Sequence, residues 1–259
     1  MQRVLFHETI FGPIHSRRLG TSLGVNLSPN DGKICSFDCL YCEAGFNAQG
    51  RGTTGIPSKE DVAARLEEKL SQMKSDGRSL DTITFSGNGE PTLHPHFGEI
   101  IDVVTGLRDR YFPQAMISVL SNATAIANPS VAAALRKVDN NILKLDSALT
   151  PTIHLIDRPV NERFNADDTV ARLSEFKGNC VIQTMMLRGE KDGAVIDNTT
   201  TAEVEALLKA YQAIQPRSVM LYTIDRPTPH RLLEKVLPDE LERIAETFRR
   251  GGINVEVCH

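Results

Sequence analysis

No stretch of this chain stays apolar for the roughly 20 residues needed to cross a bilayer, so nothing in it reads as a membrane span. Met1 to Ile10 places Arg3, His7 and Glu8 among short apolar pieces, which is neither the apolar core of a signal peptide nor an amphipathic transit sequence. A soluble cytoplasmic protein is therefore expected. A broad excess of positive charge is also missing: 29 Lys and Arg against 33 Asp and Glu leave a formal net charge of -4. No general field draws in nucleic acid phosphates, although a local basic patch stays open. No low-complexity linker interrupts the sequence. At 259 residues and 41% hydrophobic, it has enough apolar material for one large α/β domain. The simplest organisation is a single domain over residues 1–259, with an N-terminal extension at 1–20 and a C-terminal helix and strand at 237–259 that close its edge.

Cysteine is scarce, and its placement is the most informative feature. Three of the five cysteines fall in Cys35-Ser36-Phe37-Asp38-Cys39-Leu40-Tyr41-Cys42, a CxxxCxxC run with no fourth thiol nearby; Cys180 and Cys258 are distant from it and from each other. A structural zinc needs four closed tetrahedral ligands, usually in paired spacings that are not present here. A disulfide framework fits poorly with an odd number of cysteines in a chain of this size without a secretory signal. Thiolates are the ligands that iron–sulfur clusters select, and a four-iron cluster held by three of them keeps one iron open for a non-protein ligand. The motif points to a reduced, reactive metal site.

Hydrophobic periodicity predicts strand and helix in alternation. Leu23 to Leu27 is a short strand running into the cysteine loop. Ser58 is placed as an N-cap with Asp61 at N3, before a helix whose stripe is Val62, Leu66, Leu70 and Met73 and which stops at Gly77. Strands follow at Thr82 to Ser86, Met116 to Leu120, Asn141 to Leu145, Cys180 to Leu187 and Val219 to Ile224. Between them lie helices marked by Phe97, Ile100, Ile101, Val104 and Leu107, by Val131 to Val138, by Asp167 to Phe176, and by Val204, Leu207, Leu208, Tyr211 and Ile214. Pro238 opens a last helix with Gly251 at its C-terminal end, and Ile253 to Val257 is a closing strand. Strands separated by helices imply right-handed βαβ units and a parallel sheet, either doubly wound or a curved, incomplete barrel. The chemistry-bearing residues sit at the C-terminal ends of these strands, the edge on which both architectures assemble sites.

On these residues the chain resembles the radical SAM superfamily. Cys35, Cys39 and Cys42 match its cluster motif, Tyr41 matches the aromatic position before the third cysteine, and Gly87-Asn88-Gly89-Glu90-Pro91 is similar to its Gly-Gly-Glu turn. Phe11 to Gly20, Lys144-Leu145-Asp146 and Thr223 to Pro227 resemble the branch that includes the tRNA wyosine-synthetase-like oxidoreductases. The resemblance implies an α/β fold of the partial (β/α)6 TIM-like barrel type, with parallel strands and the cluster at their C-terminal edge. It implies a [4Fe–4S] cluster and S-adenosyl-L-methionine as cofactors. The reduced cluster would cleave the sulfonium to methionine and a 5'-deoxyadenosyl radical, which abstracts hydrogen from a small-molecule, nucleoside or tRNA substrate. A reductant such as flavodoxin or ferredoxin is a further expected partner, and a barrel mouth closed by loops would keep radical chemistry dry.

Residue roles follow. Cys35, Cys39 and Cys42 are the cluster ligands. Gly87, Asn88, Gly89 and Glu90 are assigned to the cofactor: the glycines let backbone approach its methionine part, and Glu90 or nearby carbonyls accept from its ammonium. An ordinary βα turn is the plainer account of the same residues. Tyr41 is assigned near adenine or as a shield for the cluster. Asn122, Lys144, Asp146 and Ser147 are assigned to ribose hydroxyls or the methionine carboxylate, with simple strand-end capping as the alternative. Gln183 and Met185 share one strand face and are placed on the inner wall, and Gln183 is counted among the cofactor-binding residues. Arg226 is the expected catalytic or substrate contact, against a structural ion pair with Asp225 or another acid. Arg17 and Arg18 suit an anionic substrate or a solvated surface. His94 and His96 lack a third nearby ligand. Cys180 is expected buried at the end opposite the site, and Cys258 with His259 frayed. An activating enzyme for a partner protein or peptide is the runner-up function. A non-catalytic electron carrier is the third, although it leaves the Gly87 to Pro91 turn unexplained.

Overall fold

The structure is a computed structural model that describes residues 3–16 and 18–258. Arg17 and His259, named above, lie outside the described residues. Seven strands form a parallel array in the order of the chain: β2 (Gly20–Val25), β3 (Thr82–Phe85), β4 (Met116–Ser121), β5 (Asn140–Lys144), β6 (Val181–Lys191), β8 (Ser218–Thr223) and β10 (Val255–Cys258). The connections supply α1 (Lys59–Ser75), α2 (Phe97–Tyr111), α3 (Pro129–Leu135), α4 (Thr150–Ile156) with α5 (Ala166–Ser174), α6 (Thr201–Ile214) and α7 (Pro238–Arg250). Six βα steps thus precede a closing strand, as the alternation predicts, giving an open, mostly parallel α/β sheet.

The period-two pattern explains which way each strand faces. Leu23 and Val25, Ile83 and Phe85, Ile117 and Val119, and Val219 and Leu221 are buried against the helices in one continuous core with Leu66, Ile100, Leu207 and Phe248. The alternate residues face inward. There the lower half carries hydroxyls, Ser22 bonded to Thr84 at 2.8 Å and Thr82 to Ser118 at 2.9 Å. A small apolar plug of Ile142, Val181 and Met220 packs with Leu120 and with Leu19 from the opposite edge. Leu19 reaching across to β5, β6 and β8 shows that the sheet curls until its two ends approach.

Three features depart from expectation. The N-terminal extension holds β1 (Ile10–Ser16), antiparallel to β2 at the sheet edge. Strand β6 runs past Leu187 and pairs antiparallel with β7 (Ala194–Asp197) and β9 (Leu233–Lys235), forming a flap beyond the sheet. Helix α4 was not anticipated; it is short, carries Pro151 in its first turn, and its end returns to the cysteine loop. Helix starts follow local chemistry: Ser58, Asn165 and Thr200 each accept from a backbone N–H of the first turn. The closing β10 pairs with β8 at the far edge. Among the described residues no helix is long and apolar enough to cross a membrane.

Candidate functional site

The loop after β2 carries Cys35, Cys39 and Cys42, clamped on two sides. On one side Ile34 bridges Gly89, with Ile34 N–H donating to Asn88 O at 3.1 Å and Glu90 N–H to Ile34 O at 2.9 Å. On the other, Asp38 N–H and Leu40 N–H donate to Asp157 O and Ile156 O, each at 3.0 Å, and Val160 N–H to Ser36 O at 2.9 Å. Beneath the loop, Lys33 is 2% exposed; its Nζ donates to Gly45 O at 2.8 Å and lies 3.6 Å from Asp38. Burial alone would lower its pKa, but the charges of Cys42, Cys35, Cys39 and Asp38 outweigh it and raise it. A fixed positive charge therefore underlies three potential thiolates.

Burial pushes the Cys35 thiol up to about 12, with the Glu90 charge adding to the effect, and raises Cys39 more strongly against the opposing Lys144. Such thiols ionise when a metal displaces their protons. Among the described residues no three Cys, His, Asp or Glu side chains gather tightly enough to hold a single metal ion. A lone zinc needs ligands within about 2.3 Å of one centre, whereas a cluster spreads them over separate irons. Three free thiols in one clamped loop are a donor set that fits an iron–sulfur cluster.

Beside Cys39 stands a buried polar cluster from three elements. Lys144, at the end of β5, contacts Asp146 and the Tyr41 hydroxyl, and its Nζ forms an ion pair with Asp157 Oδ1 at 2.8 Å. Tyr41 also donates to Asp146. Burial would lower the Lys144 ammonium, but Asp146 and Asp157 hold it well above its ordinary range. Burial raises the Asp157 carboxyl and the Tyr41 phenol. Asp146 has its other oxygen on Met185 N–H at 3.0 Å, and Asn198 ties Asp146 O to Met185 O. This network fixes the ends of β5 and β6 against the cysteine loop.

The structure brings the predicted turn to the same place for a different reason. The space that Gly87 and Gly89 leave is occupied by the chain itself: a Cβ on Gly87 would meet Asn26 Oδ1 at 2.4 Å, and one on Gly89 would meet Ile34 O at 1.9 Å, with φ at +149° and +143°. Gly89 lets the backbone of the cysteine loop come close at Ile34, and Gly87 lets the Asn26 side chain do so. Asn88 is fully buried and holds the N-terminal segment, accepting from Phe6 N–H and donating to Phe6 O and Pro29 O. Glu90 is 4% exposed, and its oxygens accept from Thr92, Ser121 and Asn122 N–H, so they are committed within the fold. Asn122 donates to Ser36 Oγ at 2.9 Å and lies 3.6 Å from Cys35 Sγ.

Ser147 turns elsewhere. Its hydroxyl donates to the buried Glu203 at 2.6 Å and accepts from Leu149 N–H, as a helix-entry residue does. Gln183 donates to the Tyr222 hydroxyl on the inner wall, where Met185 packs with Leu40, Tyr41 and Tyr222. Arg226 is exposed and pairs with Glu43 at 2.9 Å, so the acid it meets in the structure follows the cysteine run. His94 is buried on Pro57 O. Cys180 is buried just before β6, at the opposite end of the sheet.

A family model for the radical SAM superfamily matches residues 30–198, well over half of the chain. The chain belongs to the radical SAM superfamily. Enzymes of this superfamily use a [4Fe–4S] cluster and S-adenosylmethionine, and need a reductant and a substrate. Among curated relatives it is 30% identical over 241 residues to a UPF0026 protein of Helicobacter pylori, covering 92% of this chain and 73% of that protein. It is 28% identical over 255 residues to a protein named GTPase Obg of Brachyspira hyodysenteriae, covering 96% of this chain but 35% of that one. The chain thus spans about a third of one relative and most of the other. A radical SAM methyltransferase of Sphaerobacter thermophilus has the same fold at a TM-score of 0.65 and 16% identity, over 92% of this chain and 65% of that one. TYW1 with a lysine-pyruvate adduct matches at 0.60 and 16% identity, over 90% and 75%. At these identities the likeness shows the fold, a partial TIM barrel.

Sequence reasoning missed Lys33, Asp157, Glu43 and Tyr222. Lys33 sits two residues before the first ligand, where a lone lysine in a loop carries no periodic signal. Asp157 caps the unanticipated α4, so its closeness to Cys39 follows only from the return of that helix. Tyr222 and Gln183 were detectable as polar residues on an inward strand face, of which only Gln183 was singled out.

Proposed function

We propose that this protein is a radical SAM enzyme that abstracts hydrogen from a small-molecule or nucleoside-type substrate held inside the barrel. The observation that carries the reading is the double clamp on the cysteine loop, which presents three thiols at the C-terminal edge of the sheet beside the inner wall of β5, β6 and β8. When bound there, the cluster and S-adenosylmethionine supply reductive cleavage of a sulfonium and a carbon radical able to take hydrogen.

The residues of this chain have the remaining tasks. Cys35, Cys39 and Cys42 hold the cluster, and Lys33 offsets its negative charge from beneath. Asn122 supports Cys35, and Lys144 sets the field beside Cys39 while Asp146 and Tyr41 fix its direction. The peptide groups of Gly87 to Glu90, with Asn122 and Lys144, are the groups we assign to the cofactor's amino acid part; Tyr41 is assigned to its adenosine side. The inner wall, with Gln183, Met185 and Tyr222, receives the substrate and excludes water from the radical. Kinship with the wyosine-synthetase-like branch rests on Phe11 to Gly20, Lys144 to Asp146 and Thr223 to Pro227, and flavodoxin or ferredoxin is the proposed reductant.

Anaerobically reconstituted protein given S-adenosylmethionine and a strong reductant releases 5'-deoxyadenosine on this reading, and Cys35→Ala, Cys39→Ala and Cys42→Ala do not. A fully loaded cluster with no release would identify an electron carrier instead. Activation of a partner peptide would show as hydrogen exchange from that peptide into deoxyadenosine.

A further inference from the structure

A chamber of about 350 Å³ lies against the inner wall, bounded among others by Ile14, Arg18, Met185, Tyr222, Lys235 and Cys258. Its volume falls at the small end of small-molecule sites, which run from about 300 to 1,000 Å³. None of Cys35, Cys39, Cys42 or Gly87 to Glu90 lines it, so it is distinct from the cluster loop. It nevertheless abuts that loop: Glu43 follows Cys42 and lines the chamber, and Tyr41 packs with Met185 and Tyr222 in one apolar cluster.

Arg18 enters this space from the β1–β2 turn. Its guanidinium lies over the Tyr222 ring, 4.9 Å from the centroid, and its Nη1 is buried with no hydrogen-bond partner among the described residues. Buried polar groups are nearly always partnered, and this arginine at the chamber wall carries an N–H that lacks the acceptor such a group normally has. The Tyr222 hydroxyl takes the Gln183 amide and does not bond Nη1, because the guanidinium lies over the ring. Among the described residues the charged side chains around the chamber are Arg18, Arg226 and Lys235 against Glu43 and Asp225, with His15 beside them, and Glu43 is paired with Arg226 at the rim. The balance favours an incoming anion, and Arg stacked on an aromatic presents a fixed planar donor suited to carboxylate or phosphate.

We propose that the chamber is the substrate subsite and that Arg18 anchors an oxyanion of the substrate, a carboxylate or a phosphate. The assignment deepens the function proposed above and rests on it, naming the substrate as a small organic acid or phosphate ester whose anion sits away from the cluster.

The test is binding to cluster-reconstituted protein in the absence of S-adenosylmethionine turnover, with inorganic phosphate and succinate as probes and sodium chloride as the ionic-strength control. Wild-type protein should bind at least one probe, with the more effective one identifying phosphate or carboxylate, and its melting temperature should rise with probe concentration. Arg18→Met, which keeps the stack on Tyr222, should bind roughly tenfold or more weakly, yet melt no lower than wild type without probe. Arg18→Lys should recover part of the binding, and Arg110→Gln, a surface cation elsewhere, should bind as wild type. The proposal is overturned if neither probe binds wild type, if Arg18→Met binds as well as wild type, or if Arg18→Met melts several degrees lower, which would mark a structural arginine. None of these outcomes depends on deoxyadenosine release, so failure here is separable from failure of the functional reading.

Discussion

Replacing Lys144 with methionine removes the ammonium that faces Asp146, Asp157 and the Tyr41 hydroxyl at the end of β5. Its side chain is 13% exposed, against 0% for Asp146 and 2% for Asp157, so solvent screens little of the interaction. Methionine preserves the aliphatic stem, which isolates the charge. Removing one partner of a buried ion pair costs about 3–5 kcal/mol because the other charge is left uncompensated, and here Asp146 loses its counterion while burial already raises the Asp157 carboxyl. Against a total of roughly 5–15 kcal/mol this is severe. At about 2–4 °C per kcal/mol for a domain of this size, the melting temperature should fall by roughly 6–20 °C. The assay is thermal unfolding of cluster-reconstituted protein followed by far-ultraviolet circular dichroism under anaerobic conditions. Lys144→Met combined with Asp146→Asn should recover about 1–3 kcal/mol, because the second change removes one stranded charge. If Lys144→Met unfolds within about 0.5 kcal/mol of wild type, the range of an ordinary surface change, the idea that this lysine neutralises the network is wrong.

Four other expectations are open to direct measurement. Gly89→Ala must push the Ile34 carbonyl aside and adopt a disfavoured φ, so its reconstituted protein should carry markedly less iron and visible absorbance than wild type; equal iron content would mean that the Gly89 contact does not position the cysteines. Asn88→Ala strands part-buried groups at Phe6 and a buried carbonyl at Pro29 and should cost about 2–4 kcal/mol in urea unfolding, with faster hydrogen exchange at Phe6; unchanged exchange there would contradict its role as the N-terminal tether. The hydroxyl and N–H of Thr53 and the N–H of Thr54 hold the Asp31 carboxyl well below its ordinary range. The folded chain therefore binds that proton less tightly than the unfolded chain. The contribution is present above the ordinary carboxylate range and is lost as pH falls through that range toward the folded value. Protection of the Thr53 and Thr54 amides should hold from neutral pH to about 4 and fall only below it, and a loss near pH 6 would contradict the assignment. Burial pushes the Cys180 thiol up to about 12, so native protein at pH 8 should resist alkylation at Cys180 while unfolded protein reacts readily; rapid native labelling would place it at the surface.

Much of the frame was legible because one face of each inner strand is continuously apolar against helices of regular stripe. Leu23, Ile83, Ile117, Ile182 and Val219 all lie in the single core under those helices. The cysteine loop and the Gly87 to Pro91 turn were legible as motifs, and the structure adds that Gly89 makes room for the loop's own backbone and Gly87 for the Asn26 side chain. What stayed hidden was non-periodic. β1 carries Gly12 and Pro13 in its middle, residues that normally demote a strand. The β6 extension runs through Arg188, Gly189, Glu190 and Lys191, which alternate no apolar face. Lys33 and Asp157 matter through charge at short range, and no spacing in the chain announces which distant acid or base will meet them. Arg226 shows the converse: its position on the rim was legible, but its partner, Glu43, lies 183 residues away.

The central claim is that the three cysteines leave one iron of the cluster open to the cofactor. Mössbauer spectra of protein reconstituted with iron-57, recorded before and after addition of S-adenosylmethionine, test it most directly. The account predicts that a single iron site changes its parameters on addition while the others keep theirs, and that Cys180→Ala with Cys258→Ala leaves this behaviour intact. Spectra that do not respond to S-adenosylmethionine, or a requirement for Cys180 or Cys258 as a fourth ligand, would contradict it.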